Sequence, residues 1–226
     1  MRVVNSAVLK EWYSNEYNAC DDGTLFGELR EEFKQFLSRL PNGPGDALEL
    51  GCGDGRNLTA LARKGYRLTG VDMVDSTVQS RQRNPWLKDL DFQQADILTY
   101  EPAREGYDVL VCSEVLHFFP RDELQEVMSK IIGAVKPGGY IFLDLLSDLS
   151  RFFQASGEPF RWDKEAGLSV QDSEGLFDSW LSNFKIFAFN HFFDQQSWPL
   201  SSAESLPIDP YTWQGTYVSV CAQKRK

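Results

Sequence analysis

The stretch A-L-E-L-G-C-G-D-G-R-N-L, Ala47 to Leu58, constrains the fold of this chain more than any other. Ala47 to Leu50 is a short apolar run of strand type. Glycines then recur at alternate positions, Gly51, Gly53 and Gly55. An amphipathic helix follows, with Leu58, Leu61 and Ala62 on one face. A strand, a tight glycine turn and a helix make the first unit of an open α/β sheet, a fold that binds ligands outside the carboxyl ends of its strands. Glycine suits such a turn because it takes backbone angles that other residues avoid and lets a ligand approach with no Cβ in the way.

The alternation continues downstream. Arg67 to Val71 reads as a second strand ending at Asp72, Asp75 caps a helix running to Asn84, and Asp91 to Ala95 is a polar edge strand ending at Asp96. Tyr107 to Cys112 is a fourth strand. Pro120 opens a helix striped by Leu124, Val127, Met128, Ile131, Ile132 and Val135, and Tyr140 to Leu146 is a fifth strand. Repeating βα units of this length imply a parallel sheet covered on both faces. The spacing predicts one domain over 1–226, with an N-terminal helical cap (1–45), a ligand-binding core (46–146) and a substrate-side segment (147–226). In the cap, Thr24 is expected to start a helix striped by Leu25, Leu29, Phe33, Phe36, Leu37 and Leu40. Trp12 to Tyr17 shows no clear period. A short helix is expected over Asp172 to Trp180, late strands over Phe184 to Phe193 and Thr216 to Ala222, and a long loop from Asp194 to Gly215.

Composition removes whole classes of function. The formal net charge of −10 argues against a nucleic-acid partner, since phosphate binding needs a basic surface. No apolar run is long enough to span a bilayer, and Met1 to Trp12 lacks the apolar core of a signal peptide. Cys20, Cys52, Cys112 and Cys221 have no metal-ligand or paired spacing, so the expectation is reduced thiols, no metal and a cytoplasmic protein.

The glycine spacing is one residue shorter than the dinucleotide fingerprint G-x-G-x-x-G, and Arg56 stands where the last small residue would be. That disfavours a nicotinamide dinucleotide. Asp72 follows the first glycine by about twenty residues, where a carboxylate reaches ribose hydroxyls. With Asp96 at the next strand end, the three signals point to an adenosine crevice. At these residues the chain resembles the class I S-adenosylmethionine-dependent methyltransferases. The resemblance is carried by L-E-L-G-C-G-D-G-R-N-L, G-V-D-M-V, Q-Q-A-D-I-L, Y-D-V-L-V-C-S-E-V-L-H-F-F and V-K-P-G-G-Y-I-F-L-D. It implies an α/β, Rossmann-like three-layer sandwich with a seven-stranded, mostly parallel sheet whose last strand is antiparallel. It also implies S-adenosylmethionine as cofactor. Glu49, Gly51, Cys52, Gly53 and Gly55 would hold its methionine end, Asp72 the ribose, and Met73 would pack on the adenine. Asp96 and Ile97 would meet the adenine edge, and Cys112 and Ser113 the floor near the sulfonium. The R-N-L after the loop is similar to tellurite-resistance and thiopurine-type small-molecule methyltransferases.

Methyl transfer asks a protein chiefly for alignment and exclusion of water. A base is needed only for an acceptor that arrives protonated, and His117 is the candidate. Trp12, Tyr13, Tyr17 and Trp162, outside the core units, are candidates for the substrate side. The expected partner is a small-molecule acceptor, uncharged or cationic in view of the acidic chain. A binding module without catalysis is the alternative.

Overall fold

The structure is a computed structural model that describes residues 1–19, 24–25, 27–75, 77–198 and 208–226. The expected Cys20 thiol and most of the loop between the last two strands lie outside these residues. The elements in chain order are β1 (Arg2–Val4), α1 (Val8–Ala19), α2 (Glu31–Arg39), β2 (Gly45–Leu50), α3 (Arg56–Arg63), β3 (Tyr66–Asp72), α4 (Thr77–Arg83), β4 (Asp91–Gln94), β5 (Tyr107–Cys112), α5 (Arg121–Ala134), β6 (Val135–Phe153), β7 (Pro159–Trp162), α6 (Val170–Trp180), β8 (Phe184–Trp198) and β9 (Tyr211–Lys224).

Among the described residues, all nine strands join one sheet. Its base runs β4-β3-β2-β5-β6-β9-β8. The pairs from β4 to β6 are parallel, and β9 runs antiparallel to both β6 and β8. This is the mostly parallel, seven-stranded arrangement that the resemblance implies, with one antiparallel strand at the end of the chain. Strands β2, β3 and β4 step one way across the sheet, and β5 and β6 step the other way. The order therefore reverses between β2 and β5, where an open α/β sheet leaves a crevice above its strand ends.

Side-chain alternation divides the core into two layers. Leu48, Leu50, Leu110, Cys112, Ile141 and Leu143 point to α5 and α6, while Ala47, Val109, Val111 and Phe142 point to α2 and α3. The stripe expected on α5 is the one that packs: Leu124, Val127, Met128 and Ile131 are fully buried.

The elements outside the βα units differ from the sequence reading. Trp12 to Tyr17 lies inside helix α1. Leu9, Tyr13 and Tyr17, four residues apart, face a cavity, whereas Trp12 and Glu16 are buried. A helix buried on two sides, one of them carrying a carboxylate, has no clean polar face for its period to show. The expected helix from Thr24 forms only over α2. Gly27 takes a φ of 69°, Leu25 N–H donates to Asp54, and Arg30 occupies the N-cap with no side-chain cap bond, so residues 24–25 and 27–30 lie along the glycine loop instead of coiling. Strand β6 runs well past Leu146. Its first half pairs with β5, and its far end pairs with β7, which in turn pairs in parallel with β1. Strands β8 and β9 likewise continue into the expected loop, with Trp198 opposite Tyr211. These extensions stand beyond the carboxyl ends of β2 to β5 and wall the crevice.

Candidate functional site

The crevice opens into a cavity of about 880 Å³, within the range typical of small-molecule and cofactor sites. Each strand end contributes to it in turn.

At the end of β2 the loop folds against β3. Gly51 and Cys52 both donate to the Val71 carbonyl, at 2.8 and 3.0 Å, and Gly53 N–H donates to Asp72 Oδ2 at 2.9 Å. Gly51 has a φ of 72°, and a Cβ there would come within 2.2 Å of Val115 Cγ2. That position requires glycine on both counts. Glu49 is 2 % exposed; Asn57 Nδ2 donates to its Oε1 at 2.8 Å, while its Oε2 has no partner. Burial pushes the Glu49 carboxyl up to about 8, against the hydrogen bond from Asn57. A buried carboxylate oxygen left without a donor beside a glycine turn is suited to a cationic ligand group.

At the end of β3, Asp72 also accepts from Val74 N–H, at 3.1 Å, and burial holds its carboxyl above the ordinary range. Its two oxygens thus tie the glycine loop to the turn after β3 and retain lone pairs for a ligand. Met73, 42 % exposed, lines the rim next to it. After β4, Asp96 and Ile97 line the same rim. Asp96 Oδ1 accepts from Leu98 N–H at 2.9 Å, so its carboxylate also caps the turn.

After β5, Ser113 Oγ and Glu114 N–H both donate to the buried Asp144 carboxylate of β6, each at 2.6 Å. Glu114 takes a φ of 63° and receives Arg30 at 3.3 Å and Arg56 at 3.1 Å. The Arg30 guanidinium lies 4.1 Å from the ring centre of Tyr217. The sequence reading missed this knot of Arg30, Glu114 and Asp144. Its visible signals were two acids, Glu114 just after β5 and Asp144 inside the apolar strand Y-I-F-L-D.

Three of the expected site residues stand elsewhere. Cys112 is fully buried under α5 and does not line the cavity, because alternation along β5 turns it to the sheet's far face. Gly55, with a φ of 85°, is the N-cap of α3, where a Cβ would meet Leu87 at 2.8 Å; its task is starting the helix. Trp12 packs edge-on to Trp198, with ring centres 4.5 Å apart, behind the cavity wall. Tyr13, Tyr17 and Trp162 do line the cavity, as does His117. His117 is buried with Nδ1 unpartnered; burial, with the nearby charge of Arg151, pushes its imidazole down to about 3. A ring held neutral that far below neutral pH is a poor proton acceptor. Cys52, Cys112 and Cys221 are unbridged, and burial raises all three thiols.

A family profile described as "Methyltransferase domain" matches residues 47–139, the segment that supplies every strand end described above. This segment belongs to the class I S-adenosylmethionine-dependent methyltransferases. The methyltransferase segment has curated relatives named ubiquinone biosynthesis O-methyltransferase. That of Coxiella burnetii is 32 % identical over 112 residues, 48 % of this chain and 45 % of the relative. That of Stutzerimonas stutzeri is 27 % identical over 172 residues, 62 % of this chain and 72 % of the relative. The match thus spans less than half the length of the Coxiella protein. Solved structures share the fold. The 1,6-didemethyltoxoflavin-N1-methyltransferase of Burkholderia thailandensis aligns with a TM-score of 0.61 at 16 % identity, over 98 % of this chain and 89 % of its own. The N-methyltransferase NodS of Bradyrhizobium japonicum, solved with S-adenosylhomocysteine, aligns at 0.59 and 20 % identity, over 96 % and 98 %. No helix of the described residues is long and apolar enough to cross a membrane.

Proposed function

We propose that this chain is an S-adenosylmethionine-dependent methyltransferase acting by in-line displacement on a small-molecule acceptor. The observation that carries the proposal is the meeting of Gly53 and Asp72 beneath a cavity whose wall includes the unpartnered Glu49 oxygen. The donor supplies a methyl group already made electrophilic by a sulfonium. Glu49 offers that bare oxygen to the donor's ammonium, the Gly51–Gly53 turn leaves room for its chain, Asp72 accepts from the ribose hydroxyls, and Met73, Asp96 and Ile97 bracket the base. Tyr13 and Tyr17 of α1 lie over this site and exclude water, which strengthens each of these polar contacts.

In this reading the segment 46–146 binds the donor, and the flanks to 226 form one unit with it. The names of the relatives cover both oxygen and nitrogen acceptors, so the atom methylated is not taken from them. Unbridged, buried thiols favour a reducing compartment, and we place the protein in the cytoplasm on that chemistry.

Calorimetry with S-adenosylhomocysteine tests the proposal. The wild type binds, and Asp72→Ala loses at least about tenfold in affinity, the cost of one buried polar contact. A wild type that does not bind, or an Asp72→Ala variant of unchanged affinity, overturns it.

A further inference from the structure

The far end of the cavity is built by residues outside the matched segment, and their pattern speaks to the acceptor. On β9, Tyr211, Trp213 and Tyr217 occupy odd positions on one face and all line the cavity, with Gly215 between them where a Cβ would meet Leu146 at 2.8 Å. Trp198 of β8 and Trp162 of β7 complete the wall. Such slots, lined by flat faces and ring edges, select planar rings.

A wall of indole and phenol faces would also attract a cation, but one side chain argues against that occupant. Arg151 of β6 is 5 % exposed, lines the cavity, and lies 5.8 Å from the ring centre of Trp162. One of its nitrogens is ion-paired to Glu165, whose other oxygen accepts from Trp162 N–H at 3.1 Å. The carboxylate is thereby anchored to the backbone of the wall, while the guanidinium reaches the cavity. Groups on the cavity side register the cation ahead of the anion: at Tyr211 the influence of Arg151 exceeds that of Glu165, and His117 is pushed down by burial and by Arg151. A cationic acceptor seated against Tyr211 would face the like charge of Arg151 in a low-dielectric slot, whereas the acids of the cavity, Glu114 and Asp194 among them, act on Tyr13 and Tyr217.

We propose that the acceptor is a planar aromatic compound that reacts through an ionised hydroxyl, a phenolate, with its ring among Trp162, Trp198, Tyr211 and Trp213 and its oxygen facing Arg151 and His117. This rests on the methyltransferase reading of the donor site. The acceptor's proton leaves to solvent on binding. The phenolate oxygen then attacks the donor's methyl carbon, an O–C bond forms, the C–S bond breaks and its electron pair stays on sulfur. Sulfonium and guanidinium flank the reacting anion. Neutral His117 is a hydrogen-bonding partner to the oxygen and takes no proton.

The test uses the full chain saturated with S-adenosylhomocysteine, whose own binding is measured first, so that failure of the donor site is seen separately. A naphthol is then titrated in, with calorimetry and the naphtholate absorption band as readouts. Cyclohexanol and a trimethylanilinium ion are the controls for ring and charge. The naphthol is expected to bind as naphtholate, at least about tenfold tighter than either control, as a charge-assisted contact added to ring burial requires. Arg151→Gln leaves Glu165 buried alone, so the double variant Arg151→Gln/Glu165→Gln is used as well. It is expected to retain S-adenosylhomocysteine affinity and to lose the naphtholate band. Cyclohexanol or the anilinium binding as tightly as the naphthol, no naphthol binding to the loaded protein, or an undiminished band in the double variant each overturns the proposal.

Discussion

Glu49 shows what one buried atom sets in motion. Its carboxyl is raised from 4.5 to about 8 by burial. A carboxyl raised on folding binds its proton more tightly in the native state than in the unfolded chain. The native state therefore loses stability as pH climbs from the unfolded value through the folded one. A ligand ammonium against Oε2 reverses the preference, so S-adenosylhomocysteine is expected to bind more tightly as pH rises toward 8, the value Glu49 holds in the native state. Glu49→Gln is expected to bind more weakly and to flatten that rise, read by calorimetry across the interval. An unchanged slope in the variant would place the titrating group elsewhere. Gly51 gives a second test, because its two constraints separate. Gly51→Ala meets Val115 and also adopts a positive φ. Pairing it with Val115→Ala removes the clash alone, and the double variant is expected to recover all but the roughly 1–2 kcal/mol of left-handed backbone strain, measured by urea unfolding.

Among the elements, those whose buried residues follow a plain run or stripe were legible, and those that mix core, cavity and charge were not. Tyr107 to Cys112 was bounded correctly because Val109 to Cys112 is a continuous apolar run. The α5 stripe was legible because solvent takes its other side. In α1, by contrast, Leu9, Tyr13 and Tyr17 serve the cavity while Trp12 and Glu16 are buried on another side, and the period disappears. The distal halves of β6, β8 and β9 were hidden for a related reason. They wall a cavity lined by rings and by a few polar groups, so Asp194, Gln196 and Arg151 stand where a core strand would carry aliphatics. At 4 % exposure, Trp12 fastens α1 to Trp198. Trp12→Ala is expected to cost about 3–5 kcal/mol, as large aromatic truncations do. It is also expected to release α1 amides to hydrogen exchange ahead of those in β5. Equal protection of the two elements would deny α1 its dependence on that contact.

Across the whole molecule, the donor half was legible because its spacing is set by strand ends that recur in register. The half proposed for the acceptor arises from contacts between residues apart in sequence, such as Arg151 with Glu165 and Trp162 with Tyr211, and pattern within one segment does not announce them. If the donor site binds only the native state, saturating S-adenosylhomocysteine at about one hundred times its dissociation constant is expected to add about 2.7 kcal/mol to stability, seen as a raised melting temperature; Asp72→Ala, at least about tenfold weaker, is expected to keep no more than about 1.4 kcal/mol of it at the same concentration. The two halves are joined on β6, where Ser147 sits opposite Thr216 but Ser150 opposite Gln214. Three steps on one strand answer two on its neighbour. The surplus residue forms a bulge that bends the strand, and it lets Leu146 and Arg151, an odd count apart, look into one chamber. Deleting Asp148 would restore an even ladder with the same neighbours and no bend. Leu146 and Arg151 would then stand an even count apart against the same partners, Tyr217 and Trp213, so the expected product still grips its donor and differs in the bend that aims the far wall at its guest. Two trades would then be divided by a single amino acid, and a lineage could refit one without touching the other.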